Sequence, residues 1–166
     1  QSICVSRSFS SEICDVKELQ EQVANFAASM AEKLRKQDSV ASEMIVFAYT
    51  NRFKEYAPQT YANNLVTFAT PTSDHRIIIA EAVYSISKLF VKGYGYKKAG
   101  VIATKIFAEE FITHSLFEDA QALEREHTIT NALDAINATY GKDAIKLAIQ
   151  GSGKIKTSSE KQSPHY

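Results

Sequence analysis

The hydrophobic period of this chain switches several times, and the order of the switches constrains the fold more than any single motif. Ile3 to Phe9 alternates, with Ile3, Val5 and Phe9 on one side and Cys4, Ser6 and Ser8 on the other, which is the period of a strand. Ser10 and Ser11 are expected to break it. The period then changes to three and four: Leu19, Val23, Phe26, Ala27, Met30 and Leu34 form one helical stripe. Asp15 with Glu18 reads as a capping box at its start, and Lys33, Arg35 and Lys36 end it where a helix terminus favours cations. Glu43–Phe53 and Tyr61–Thr70 are rich in β-branched and aromatic residues and read as strands. The link between them, Lys54 to Thr60 with Pro58 as its turn, is short enough to require antiparallel pairing.

Pro71-Thr72-Ser73-Asp74 stops that strand and caps a second helix. Its apolar face is Ile79, Val83, Ile86 and Phe90, with Ile78, Ala82 and Leu89 beside it. Gly93 and Gly95 are expected to end it, Gly93 as the left-handed residue just past the helix. Tyr96–Phe107 is the last strand. The order strand, helix, strand, strand, helix, strand predicts an α+β domain: a four-stranded antiparallel sheet with two helices on one face and the other face free. Strand order is left open at this point. Residues 1–112 are expected to form this domain and residues 113–166 an extension. Within the extension Thr128–Tyr140 reads as a helix with Ile129, Leu133 and Ile136 on one stripe, Lys142–Gln150 as a short strand, and everything from Gly151 as a flexible end.

Composition and motifs exclude several functions. Apolar residues make up 45% of the 166, enough for a core, yet no run approaches a membrane span and no signal peptide is visible. Cys4 and Cys14 suit reduced thiols, and His75, His114, His127 and His165 have no metal-ligand spacing. Gly93-Tyr94-Gly95 follows a helix, where a phosphate loop would precede one, and no nucleophile elbow or carboxylate pair suggests catalysis. Asp134 and Asp143 read as a solvated helix residue and a turn residue. Net charge is zero, but the stretch from Ala82 to Ala108 contains no acid and holds Lys88, Lys92, Lys97, Lys98 and Lys105. A local basic stretch of this kind meets phosphates even in a neutral chain, and it equally describes a solvated face.

An ordered series of motifs adds to this. Ser6-Arg7-Ser8-Phe9, the run from Ala31 to Ala41, Pro71-Thr72-Ser73-Asp74 and the stretch Gly93 to Val101 resemble the little finger of Y-family translesion DNA polymerases, the last in its UmuC-type form. Ser115-Leu116-Phe117, Leu133 to Asn137, Tyr140-Gly141-Lys142, Gln150-Gly151 and Ser163 to Tyr166 resemble the C-terminal extension of the UmuC type. The resemblance implies a βαββαβ domain whose free sheet face lies in the DNA major groove and steadies an error-prone lesion-bypass polymerase of the SOS response. It implies Ser6, Arg7, Ser8, Arg52, Lys54, Lys97 and Lys98 as DNA contacts; alternation already sets Arg7 and Ser8 on opposite faces. The catalytic palm and its Mg²⁺ are expected outside this chain, which then carries no cofactor and no polymerase activity of its own. The implied partners are primer-template DNA, a sliding clamp, a UmuD-type subunit and the RecA filament, in the bacterial cytoplasm. Two other functions fit the same element order: a protein-interaction module, and an RNA-binding module, since Phe47 and Tyr49 share one strand face.

Thr113-His114-Ser115-Leu116-Phe117 resembles the sliding-clamp-binding motif of bacterial polymerases, with Thr and His at positions where Gln and Leu are usual. Burying the Leu116 and Phe117 side chains yields roughly 3–6 kcal/mol before association costs. Leu116→Ala with Phe117→Ala should therefore abolish binding to the cognate clamp in surface plasmon resonance while leaving the melting temperature nearly unmoved. A pair that packs on the domain would instead lower stability by about 3 kcal/mol.

Overall fold

A computed structural model of the chain describes residues 2–111 and 120–153. Its elements are β1 (Ile3–Ile13), α1 (Val16–Lys36), β2 (Ser39–Thr50), β3 (Tyr61–Thr72), α2 (His75–Leu89), β4 (Tyr96–Ala108) and α3 (Ala120–Tyr140), with short 3-10 turns at Glu109–Phe111 and Ala148–Gln150. The α+β reading holds, with four antiparallel strands in the order β1-β4-β2-β3. β1 and β2 thus run parallel with β4 inserted between them, each pairing antiparallel to it, and α1 crosses the sheet to join them. Both α1 and α2 pack on the same face and on each other.

The α1 stripe predicts the core well: Leu19, Val23, Phe26, Ala27, Met30 and Leu34 are fully buried. On α2, Ile79 and Ile86 are buried with Ile78 and Ala82, whereas Val83, Leu89 and Phe90, the last beyond the helix end, are only partly buried. They meet Val5, Phe9, Met44, Val46, Val101 and Ala103 from the sheet, each large side chain contributing about 1.5–3 kcal/mol of burial. Phe9 stacks on Phe26 with centroids 6.4 Å apart. Both caps form: Asp15 accepts from the Glu18 N–H and Asp74 from the Arg76 N–H. Tyr96, buried to 0% exposure, donates its hydroxyl to the Leu89 carbonyl and accepts from the Val91 N–H, closing the α2–β4 connection.

Several boundaries differ from expectation. β1 passes through Ser10-Ser11 to Ile13, because Phe9 and Ile13 both anchor in the core and a register irregularity after Ser8 absorbs the intervening residues. β2 begins at Ser39, earlier than Glu43: Asp38 adopts a left-handed φ of 48°, and the Ser39 hydroxyl donates to the Leu34 carbonyl, turning the chain straight from helix to strand. Gly93 is left-handed, with φ 93°, but in the turn beyond α2, whose cap is Phe90. α3 starts at Ala120 rather than Thr128, there being no Gly or Pro between Ala120 and Tyr140. On it Leu133 and Ile136 are half-buried, Ile129 is exposed, and Thr130 is buried.

The segment expected to be a strand, Lys142–Gln150, is a turn ending in a 3-10 turn. The Asn137 side chain both accepts from the Ile145 N–H (2.8 Å) and donates to its carbonyl (3.1 Å), taking the backbone groups a strand would have paired. Asp143, with φ 66°, is the turn residue expected. Asp134 is not simply solvated: it accepts two hydrogen bonds from Arg35 of α1, at 2.6 and 2.7 Å. Arg35 also donates to the Ser73 carbonyl, so one guanidinium joins α1, the β3–α2 junction and α3. Further along, Asn25 of α1 and the buried Gln150 exchange two hydrogen bonds, Asn25 donating to the Gln150 backbone carbonyl and the Gln150 side chain donating back. α3 and the turn to Gly151 are therefore docked on α1.

His75, 4% exposed, lies beside this joint with neither ring nitrogen hydrogen-bonded. Burial and then the charge of Arg35 push its pKa below 6.5. A histidine depressed in the folded state stabilises the fold above about pH 6.5, and that stability is lost as pH falls below the unfolded value towards the folded one. The melting temperature should therefore fall more steeply between pH 7 and 5 in the parent than in His75→Leu, measured by circular dichroism.

Candidate nucleic-acid interface

The paired ladders decide which side chains share the free face. Reading across β1, β4, β2 and β3, the rows are Cys4, Ile102, Ile45, Leu65; then Ser6, Gly100, Phe47, Asn63; then Ser8, Lys98, Tyr49, Tyr61. The intervening rows face the helices: Val46 and Val101 are buried there, and Asn64 donates to the Ser85 hydroxyl of α2. One end of the free face is apolar, with Leu65 exposed. The other end, towards the β2–β3 loop, is aromatic and cationic.

At that end Phe47, Tyr49 and Tyr61 form a stack, with centroids 6.2 and 5.5 Å apart and ring planes 15° and 28° apart. The Arg52 guanidinium lies 5.8 Å from the Tyr49 centroid and 5.9 Å from that of Tyr61, and the Lys98 ammonium lies 5.8 Å from Tyr49. Such cation–π contacts are worth about 0.5–1 kcal/mol at exposed sites and hold both cations over the sheet face. Phe47 is 7% exposed because it lies against Gly100: a Cβ added there would stand 2.7 Å from its ring and 2.4 Å from the Ser6 Cβ.

The structure divides the expected contact residues. Ser6, Ser8 and Lys98 lie on the free face, and Arg52 sits at its loop end. Arg7 occupies the opposite face of the edge strand β1, with its guanidinium donating to the Ser6 carbonyl. Lys97 reaches the β1 edge and donates to the Ser10 carbonyl, and Lys54 pairs with Glu12 at 2.9 Å. The basic stretch is dispersed in the same way. Lys88 lies over the Tyr84 ring on α2, and Lys105 pairs with Glu43 at 2.7 Å. Residues 113–117, the clamp-motif positions, lie outside the described residues. The Tyr49–Tyr61 platform was not foreseen as a site: both residues flank the hairpin loop in sequence, but their stacking depends on the register that sets them opposite one another. Among the described residues there is no group of His, Cys, Asp and Glu arranged to hold a metal, and no helix long and apolar enough to cross a membrane.

Residues 1–116 match the impB/mucB/samB family C-terminal domain. The chain belongs to that family. Residues 127–166 match a second domain, of unknown function (DUF4113). Among impB/mucB/samB relatives, Protein UmuC of Salmonella typhimurium is 34% identical over 167 residues, covering 100% of this chain and 40% of its own length. Protein SamB of the same organism is 33% identical over 153 residues, covering 91% of this chain and 35% of its own length. The chain thus spans less than half of each of these relatives. A solved insertion ternary complex of Dbh DNA polymerase shares the fold, with a TM-score of 0.52 at 13% identity over 64% of this chain and 29% of the polymerase. The UmuC-type resemblance read from the motifs is therefore correct, and the chain shares its fold with part of that polymerase.

In this impB/mucB/samB domain the glycine beneath Phe47 is testable. Elsewhere in a structure Gly→Ala stabilises when the backbone is compatible, through the unfolded chain. Gly100→Ala should instead cost about 1–3 kcal/mol in urea denaturation, since the new methyl displaces Phe47 or separates β1 from β4.

Proposed function

We propose that this chain is the DNA-gripping part of a lesion-bypass DNA polymerase, holding primer-template duplex against its free sheet face without reading sequence. Arg52 and Lys98, held over the Tyr49 ring on the face that the helices leave open, carry this assignment. Cations presented at the aromatic end of an open sheet face meet phosphates, and phosphate contacts position a protein without specifying bases. Ser6 and Ser8 add hydroxyl donors along the β1 side of the same face. Lys54 and Lys97 serve at its margins, where each is already engaged within the domain, and Arg7, on the opposite face of β1, takes no part. The polymerase chemistry, with its Mg²⁺, belongs to other parts of the longer protein, as the relatives' greater length supports. The segment Thr113 to Phe117 is the clamp anchor, with Leu116 and Phe117 as its apolar pair. The extension that follows, residues 113–166, is the part that meets a UmuD-type subunit and the RecA filament. A bacterial cytoplasmic location follows from those partners.

The test is a salt titration on unrelated duplex sequences. Replacing Arg52 and Lys98 by Ala should weaken binding equally on all of them and flatten the log K against log salt slope by about 1 per lost phosphate contact. An unchanged slope would return both residues to a solvated surface role.

A further inference from the structure

We infer that the tip of the β2–β3 hairpin is a stacking site for unpaired nucleobases, placed beside the duplex-binding face. Phe53 is 94% exposed and Tyr56 100% exposed, the most exposed large apolar side chains among the described residues. Neither contributes to the core, and two such rings on one short loop mark a surface meant to be covered. The loop that carries them is built rather than slack. Thr50 and Thr60 exchange hydrogen bonds at its neck, at 3.1 and 3.0 Å. The Asn51 carboxamide oxygen accepts from the Phe53 N–H at 3.1 Å. The Gln59 side chain donates to the carbonyls of both Arg52 and Lys54, at 3.3 and 3.0 Å. Rings held in place this way bind with less ordering cost than rings on a free loop.

The nature of the occupant follows from what adjoins the tip. Arg52 lies over both Tyr49 and Tyr61, and Phe53 is the next residue, so the tip adjoins the aromatic and cationic end of the sheet face. Between Phe53 and Tyr56 lies an open cleft of about 440 Å³. Besides the two rings the cleft is lined by Lys54, Glu55 and Ala57, two charged residues and one methyl, which is not the apolar collar around a protein-binding anchor. Stacking on a base needs only the ring face and tolerates any sequence, and it suits a site one step from phosphate-binding cations. A nucleotide leaving a duplex held on the sheet would meet these rings as it lost its pairing partner. The inference rests on the free face being a duplex site.

The experiment compares three probes by fluorescence anisotropy at one salt concentration: a blunt duplex, the same duplex with a single-stranded overhang, and an oligothymidylate. The parent chain should bind the overhang duplex about tenfold more tightly than the blunt one. Phe53→Ala with Tyr56→Ala should erase that margin, leave blunt-duplex affinity unchanged and leave the salt slope unaltered, because no charge is removed. Equal affinity of the parent for blunt and overhang duplexes would overturn the inference, as would a margin that survives in the double variant. If the blunt duplex fails to bind, the free-face reading fails by itself. Oligothymidylate binding lost in the double variant would still support the tip, and binding unaffected by it would overturn the tip as well.

Discussion

Pairing β2 with β4 brings together strands separated by β3 and α2, and the geometry of every other part follows from that ladder. The two strands are buried between edge strands, and their paired residues alternate without exception from Met44 with Ala103 to Tyr49 with Lys98. Because side chains alternate with period two, this register sends Met44, Val46 and Ala48 to the helices and Ile45, Phe47 and Tyr49 to the open face. The hydrophobic gain lies on the first face, where α1 and α2 exclude water. A slip by one residue would bring Phe47 and Tyr49 under the helices and turn Val46 out to solvent. The open face is thus fixed by the same burial that stabilises the fold, although little of that stability comes from it.

Small residues make that face usable. Gly100 lets the Phe47 ring lie flat across β4, which brings Tyr49 and then Tyr61 into a continuous stack. The stack in turn offers π faces to Arg52 and Lys98. A chain of zero net charge can in this way present two cations on one face, while other lysines are engaged elsewhere: Lys105 by Glu43, Lys97 by a β1 carbonyl. Distribution rather than total charge decides what such a surface meets.

The opposite side of the molecule is organised by polar contacts instead. Arg35 is 14% exposed at its side chain and is satisfied by Asp134 and the Ser73 carbonyl together. A buried guanidinium without those partners would be costly, so docking of the extension and burial of Arg35 are one event. Asn25 and Gln150 repeat the arrangement further along α1 with neutral groups. The helix layer therefore serves two neighbours, the sheet on its apolar side and α3 with the turn that follows it on its outer side, while among the described residues neither covers the open sheet face.

How far the sequence reached depended on the range of the interaction. Element order, the buried stripes of α1 and α2 and the Asp15 and Asp74 caps were legible because period and capping act within a few residues. The motifs that mark the impB/mucB/samB family are local runs and were legible for the same reason. Boundaries failed where a partner outside the segment overruled local preference: Ser10-Ser11 stay in a strand because Phe9 and Ile13 are both held in the core, and in Lys142–Gln150 the backbone groups of Ile145 are taken by the Asn137 side chain. Of the proposed contacts, alternation alone separated Arg7 from Ser8. The engagement of Lys54 by Glu12, of Asp134 by Arg35, and the stack of Tyr49 on Tyr61 required tertiary structure. These contacts join residues far apart in the chain or depend on strand register, and neither composition nor period encodes which of them will face one another.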